Sequence, residues 1–175
     1  MKKNLIGYGL EKYIETLYKD LGYNDVKRNV IFKKSSGAPI DAQIDLTYKN
    51  YLGYTVFVEC KYHKKSKVTF SEYSKFVQIL NALQIPKMPI FYRGELITNS
   101  YFDSRTLQLA ESERIKLIDK DALEELEKKR KSIGSIILSG INALDLYKKE
   151  GSFSTLKYVL ERFLPIETQI KYRSK

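Results

Sequence analysis

Asp45, Glu59 and Lys61 are the residues of this chain whose types and spacing could do chemistry. Glu59 and Lys61 stand two apart in segment 54–62 (YTVFVECKY), where Val56, Val58 and Cys60 share one parity and Phe57, Glu59 and Lys61 the other. On a strand, side chains two apart leave the same face about 6.6 Å from one another, at ~3.3 Å per residue. Asp45 lies in an earlier alternating segment, 39–48 (PIDAQIDLTY), and a turn centred near Leu52 sets it beside Glu59. Carboxylates brought so close repel unless something neutralises them, and a divalent cation does so directly. Oxygen ligands without histidine or thiolate suit Mg²⁺ or Mn²⁺. A cation held there can polarise a phosphate oxygen, generate hydroxide from bound water and neutralise a leaving oxygen. The lysine either takes a proton or stabilises charge in the transition state, and the sequence leaves both roles open.

Neighbouring residues compete for parts in this site. Asp41 shares the parity of Asp45, and a turn closing near Asn50 would put Asp41 opposite Glu59 instead. Gln43 has the same parity and is a candidate to line the site. Cys60 points to the other face as a small apolar group. His63 falls on the Glu59 parity, within reach of a phosphate or simply solvated. Lys64, Lys65 and Lys67 follow the strand directly and are placed to hold a phosphate backbone, although a plain lysine-rich loop would read the same way. One cysteine and one histidine make neither an internal disulfide nor a zinc cage. A serine or cysteine nucleophile finds no histidine with an evident partner.

Positioning these residues falls to an alternation of helices and strands. Leu10, Ile14, Leu17 and Leu21 recur at helical spacing over 9–21, and Gly22 stands where a C-terminal glycine is expected. Strands are expected at 25–34, 39–48 and 54–62, with a polar break at Ser35, Ser36 and Gly37. In 39–48 the alternation puts Ile40, Ala42, Ile44 and Leu46 on one face. Residues 69–83 read as a helix capped by Thr69 or Ser71, with Phe70, Tyr73, Phe76, Val77 and Leu80 as its apolar stripe. A strand at 94–99, a helix across 103–112, a strand at 114–118 and a helix opening at Asp119 or Asp121 follow. The order αβββαβαβα belongs to an α/β sandwich with a mixed central sheet: hairpins join the first three strands, and helical crossovers bring in the rest. Two further helices are expected over 132–148 and 152–163.

Asp45 followed by Glu59-Cys60-Lys61 resembles the D…E-x-K core of PD-(D/E)XK nucleases, most closely Mrr-type restriction endonuclease domains and next archaeal Holliday-junction resolvases. The opening helix with Gly9-Leu10-Glu11 is similar to the first helix of those families, whose glutamate helps bind metal, which makes Glu11 a candidate ligand. Segments Leu96-Ile97-Thr98-Asn99-Ser100 and Leu117-Ile118-Asp119-Lys120-Asp121-Ala122-Leu123 resemble the far half of the Mrr-type domain. Ile44 replaces the literal proline of the motif, and Glu59 stands where many Mrr-type proteins have glutamine. The Ser35-Ser36-Gly37 loop resembles the resolvases and makes Ser36 a candidate nucleic-acid contact. The resemblance implies a restriction-endonuclease-like αβββαβ core over 1–128 and does not extend to 129–175, which is expected as a helical extension for dimerisation or DNA contact. It further implies an endodeoxyribonuclease in which Glu11, Asp45, Glu59 and the Cys60 carbonyl hold Mg²⁺ or Mn²⁺ and Lys61 positions water. The alternatives are a junction resolvase and a non-catalytic binding module on the same fold.

Charge agrees with that direction. The 175 residues carry a formal net charge of +10, and neutralising phosphates with such an excess releases condensed counterions. Lysine enrichment can also reflect genome composition or a hot habitat. Fourteen tyrosines could stack on bases, though most should be core and rim residues. With no apolar run of membrane-spanning length and no signal peptide, cytoplasmic residence is expected. DNA is the expected partner, and a homodimer is expected if both strands of a duplex are cut.

Overall fold

The computed structural model describes residues 7–50 and 52–132. The chain falls into two compact units, Met1–Glu127 and Lys128–Lys175, and the whole sheet belongs to the first. The two helices expected beyond residue 132 lie outside the described residues.

The first unit opens with α1 (Gly7–Asp20). Its stripe of Leu10, Ile14 and Leu17 is fully buried, together with Tyr18, and each aliphatic side chain so buried contributes roughly 1.5–3 kcal/mol. Gly22 ends the helix at φ +83: the Tyr23 N–H donates to the Tyr18 carbonyl and the Gly22 N–H to that of Lys19, the paired bonds of a glycine-stopped helix. Strands β1 (Asn24–Phe32), β2 (Ala42–Lys49) and β3 (Thr55–Lys61) follow as an antiparallel meander. The polar break between β1 and β2 is a 3-10 turn, Lys34–Ser36, closed by Gly37 at φ +87.

Helix α2 (Phe70–Ala82) then crosses over to β4 (Gly94–Thr98), and α3 (Ser104–Leu109) to β5 (Ile115–Ile118). Both crossovers produce parallel pairs, β3 with β4 and β4 with β5. The five strands stand in chain order, β1-β2-β3-β4-β5, and the sheet is mixed as the pattern implied. Thr69 caps α2 through a capping box with Glu72, and Asp119 receives the Ala122 N–H at the start of α4 (120–127 within this unit).

Each face of the sheet is covered. On one side Leu10, Ile14 and Leu17 pack on Val56, Val58 and Ile97. On the other Tyr73, Phe76 and Leu80 pack on Phe57, Leu96 and Ile115. Gly94 lets α2 come this close: a Cβ there would lie 3.0 Å from both Leu80 and Phe76.

The alternation within β2 differs from expectation at one place. Ile40, Ala42 and Ile44 pack in the α2 layer, whereas Leu46 and Tyr48 pack in the α1 layer. Residues of one parity therefore change sides across Asp45. A strand of uninterrupted pleat cannot do this. At the same level of the neighbouring strand β1, Asn29 has φ +55.

Candidate active site

The turn between β2 and β3 decides which aspartate meets Glu59. The Asn50 side-chain oxygen accepts from the Leu52 and Tyr54 N–H groups, both at 3.0 Å, and Gly53 takes φ +84. This turn sets Lys49 opposite Thr55 and Leu46 opposite Val58. One step further along the same register, Asp45 lies across from Glu59. Asp41 is used elsewhere: its carboxylate accepts the Lys34 N–H at 2.8 Å and ties the 3-10 turn to the start of β2.

The ladder between β2 and β3 ends at the Leu46–Val58 pair. Where it would continue, the Asp45 carboxylate accepts the Cys60 backbone N–H at 2.8 Å. In an extended strand a residue's N–H and C=O leave on the same side, so the Cys60 carbonyl is turned toward the same opening. Lys61 lies 2.5 Å from Glu59 through Nζ and Oε1. The strand thus brings a carboxylate, a backbone carbonyl and an ammonium to the mouth of a gap that Asp45 enters from the other side.

Electrostatics bind these groups into one set. Burial pushes the Asp45 carboxyl up, against the Cys60 N–H and Lys61, which pull it down. Burial and then Asp45 push Glu59 up, against Lys61. Burial and then Asp45 also push Glu11 up, against Arg28 and Lys61. Burial draws the Lys61 ammonium down, yet Glu59, Asp45 and Glu72 together hold it above the usual lysine value. Glu11, on α1, is therefore close enough to feel both Asp45 and Lys61.

Three acidic groups share one region with one lysine among them, and that excess of negative charge suits a divalent cation with oxygen ligands. The cage is not ready-made. Among the described residues no three His, Cys, Asp or Glu side chains already converge to metal-holding geometry. Asp45 accepts the Cys60 N–H through Oδ2 and Glu59 pairs with Lys61 through Oε1, and each carboxylate has a second oxygen with which to hold an ion. The donor set, carboxylates and a backbone carbonyl, fits such an ion.

Other sequence candidates are distributed as follows. Lys64, Lys65 and Lys67 are exposed on the loop after β3. Ser36 closes the 3-10 turn, and Gln43 stands on the exposed side of β2 opposite Ile31. His63 is occupied: one ring nitrogen lies 2.8 Å from Ser66 Oγ and the other 3.0 Å from Glu72 Oε1. Its backbone exchanges two hydrogen bonds with the Asn99 amide, both 2.8 Å. Asn99 and Glu72 escaped sequence reading as site-supporting residues. The Thr69-x-x-Glu72 capping box was the available signal for Glu72, and Asn99 stood only as a member of the Leu96–Ser100 segment that carries the resemblance.

A cavity of about 430 Å³ lies at the turn end of the β2–β3 hairpin, lined by Tyr23, Tyr48, Asn50 and Glu95 among others, and none of Glu11, Asp45, Glu59 and Lys61 lines it. Tyr18, Tyr23 and Tyr48 there pack on one another. Tyr18 and Tyr48 donate to the buried Glu95 carboxylate. Tyr18 and Tyr48 are core residues, and Tyr23 is partly buried against them.

Comparison with known proteins shows the family through one match. A family model described as a restriction endonuclease, the Mrr catalytic domain, matches residues 3–126. No curated protein matches the chain. Among solved structures, a protein of unknown function, AF1548, aligns with TM-score 0.52 at 20% identity, covering 64% of this chain and 57% of that one. A repair endonuclease from Pyrococcus abyssi aligns with TM-score 0.47 at 12% identity, over 68% of this chain and 49% of that one. The MspJI restriction endonuclease, in complex with a 27-mer oligonucleotide, aligns with TM-score 0.43 at 13% identity, over 68% of this chain and 27% of that one. The chain thus spans well under two thirds of the length of these solved proteins. With the mixed five-stranded sheet, the register that opposes Asp45 to Glu59 and a family match over most of its length, this chain belongs to the Mrr-type restriction endonuclease family of PD-(D/E)XK nucleases.

Proposed function

We propose that this protein is a divalent-cation-dependent endonuclease that hydrolyses phosphodiester bonds in DNA. The observation that carries the reading is the gap between β2 and β3, where Asp45, Glu59, Lys61 and the Cys60 carbonyl meet. Asp45, Glu59 and the Cys60 carbonyl would hold Mg²⁺ or Mn²⁺, with Glu11 contributing from α1. The cation supplies Lewis acidity and a lowered pKa of bound water.

Everything else falls to the chain's own groups. Lys61, two residues along the strand from Glu59 and paired with it, would lie beside the scissile phosphate and position the attacking water. It stabilises the negative charge that grows on the phosphate oxygens, in a half-buried place where such an interaction is strong. Lys64, Lys65 and Lys67 stand on the adjoining exposed loop and would draw in the phosphate backbone. Asn99 holds the start of that loop through the His63 backbone. Cutting both strands of a duplex calls for two such sites, which a homodimer would supply.

The test is cleavage of supercoiled plasmid, linear duplex and a synthetic four-way junction in Mg²⁺, Mn²⁺ or EDTA. Cutting that needs the divalent ion and disappears in Lys61→Ala, with DNA binding retained, is the expected result. Equal cutting by parent and Lys61→Ala overturns the assignment, and preference for the four-way junction would make the enzyme a resolvase.

A further inference from the structure

We propose that Asn29, through its left-handed backbone and not through its side chain, is the residue that turns Asp45 into the candidate site. The catalytic consequence rests on the endonuclease reading, whereas the geometry does not.

Asn29 lies within β1 at φ +55. Arg28 pairs with Leu46 and Val30 with Ile44, so the register sets Asn29 directly across from Asp45. On both strands the side chains change sides at this level. In β1, Arg28 reaches Glu15 on α1, with 3.0 Å between Nε and Oε2. Phe32, of the same parity, packs instead on Phe57 of the opposite layer, ring centres 6.1 Å apart. In β2, Leu46 belongs to the α1 layer and Ile44 to the α2 layer.

Because Ile44 and Leu46 face opposite ways, the side chain between them is left in the plane of the sheet. Asp45 therefore reaches sideways to the Cys60 N–H of the neighbouring strand. A regular pleat would aim it into one layer or the other. A residue in the left-handed region supplies the local rotation that the pleat lacks.

A second explanation for such a residue is protection of an exposed sheet edge, since β1 is an edge strand and irregular edges discourage pairing with other chains. Asp25, at φ +52 where the register slips by one residue, already provides an irregularity of that kind. Asn29 differs, because the register is the same before and after it. No residue is inserted there, and what changes is the direction of the side chains. The Asn29 side chain is itself exposed. Asparagine is among the non-glycine residues that best tolerate this conformation; glycine adopts it freely, and β-branched residues are true outliers.

The experiment compares the parent with Asn29→Gly, Asn29→Ala, Asn29→Val and Asp45→Ala. The first readout is the Cys60 amide resonance of the cation-free protein by ¹H–¹⁵N NMR, which senses the Asp45 bond without requiring activity. The second is plasmid cleavage in Mg²⁺. Asn29→Gly should keep the parent's Cys60 shift and cleavage rate. Asn29→Val should move the Cys60 shift toward that of Asp45→Ala and lose on the order of 100-fold in cleavage, the scale of a misplaced catalytic group. If the valine variant does not fold, Asn29→Ala is read in the same way. A Cys60 shift unmoved in the folded alanine and valine variants overturns the proposal. So does loss of the bond in Asn29→Gly, which would assign the effect to the side-chain amide. A parent that cuts nothing while its Cys60 shift still follows residue 29 would remove the endonuclease reading and leave this one standing.

Discussion

Lys61 Nζ lies 2.5 Å from Glu59 Oε1, on residues two apart in one strand. The ammonium bonds one carboxylate and also draws down Asp45 and Glu11, yet burial and the repulsion among the acids still hold all three above their ordinary values. Removing Lys61 should therefore do two things. Lys61→Ala should lower the cleavage rate by about 100-fold or more, the usual scale for losing a transition-state charge partner. It should also sharpen the dependence of folding on added Mg²⁺, because the ion becomes the main answer to three acids. Single-turnover cleavage and thermal unfolding with and without Mg²⁺ measure both.

Asp45→Asn should stabilise the cation-free protein while abolishing cleavage. Burial raises the Asp45 carboxyl above its ordinary value of 3.8. A raised native acid favours the fold fully below its unfolded pKa, and that contribution is lost as pH rises through the native value. At pH 7 the ionised carboxylate is therefore a cost, which the amide removes while keeping an acceptor for Cys60. A gain of about 2–4 °C in melting temperature is expected at pH 7, shrinking as pH falls through the raised native value. Saturating Mg²⁺ should reverse the order, since only the parent binds it well. A gap that is independent of pH would contradict this account.

The exposed lysines make a separate claim about binding. Replacing Lys64, Lys65 and Lys67 by glutamine should weaken DNA binding evenly across sequences. It should reduce the slope of log affinity against log salt by about 2 to 3, near 0.9 per lost phosphate contact. Fluorescence anisotropy at several salt concentrations reads the slope directly. An unchanged slope would make this a plain solvated loop.

Gly94 offers a test of the fold that is remote from the chemistry. A methyl group there would meet Leu80 and Phe76 at 3.0 Å and the Phe57 carbonyl at 3.1 Å. Gly94→Ala should cost about 1–3 kcal/mol of stability by overpacking. Urea unfolding measures it, and an unaltered midpoint would show that α2 can shift away from the sheet.

Much of this architecture could be read from residue order, for reasons that particular residues display. The stripe Leu10, Ile14 and Leu17 had a helical period because it is the buried face of α1. The turn centred at Leu52 was legible because Asn50 and Gly53 are the types such a turn needs, although the choice of Asp45 over Asp41 rested in sequence on the family resemblance around Ile44-Asp45-Leu46. The alternation in 39–48 misled at Ile44 and Leu46, which pack on opposite sides of the sheet. The cause sits in another strand: Asn29 looks in sequence like any exposed polar residue, and no composition rule announces a single positive φ. His63 shared the site's parity yet is held by Ser66 and Glu72, contacts that depend on how a loop closes.

The five strands lie side by side in the order in which they are synthesised. Glu11, Asp45, Glu59 and Lys61 all lie on α1 and the opening meander, β1 to β3. The acidic cluster therefore rests on antiparallel pairing between neighbouring segments. The layer of α2, β4 and β5 is added through the two parallel crossovers, so the strands that carry the acids and the wall behind them are joined by different kinds of connection.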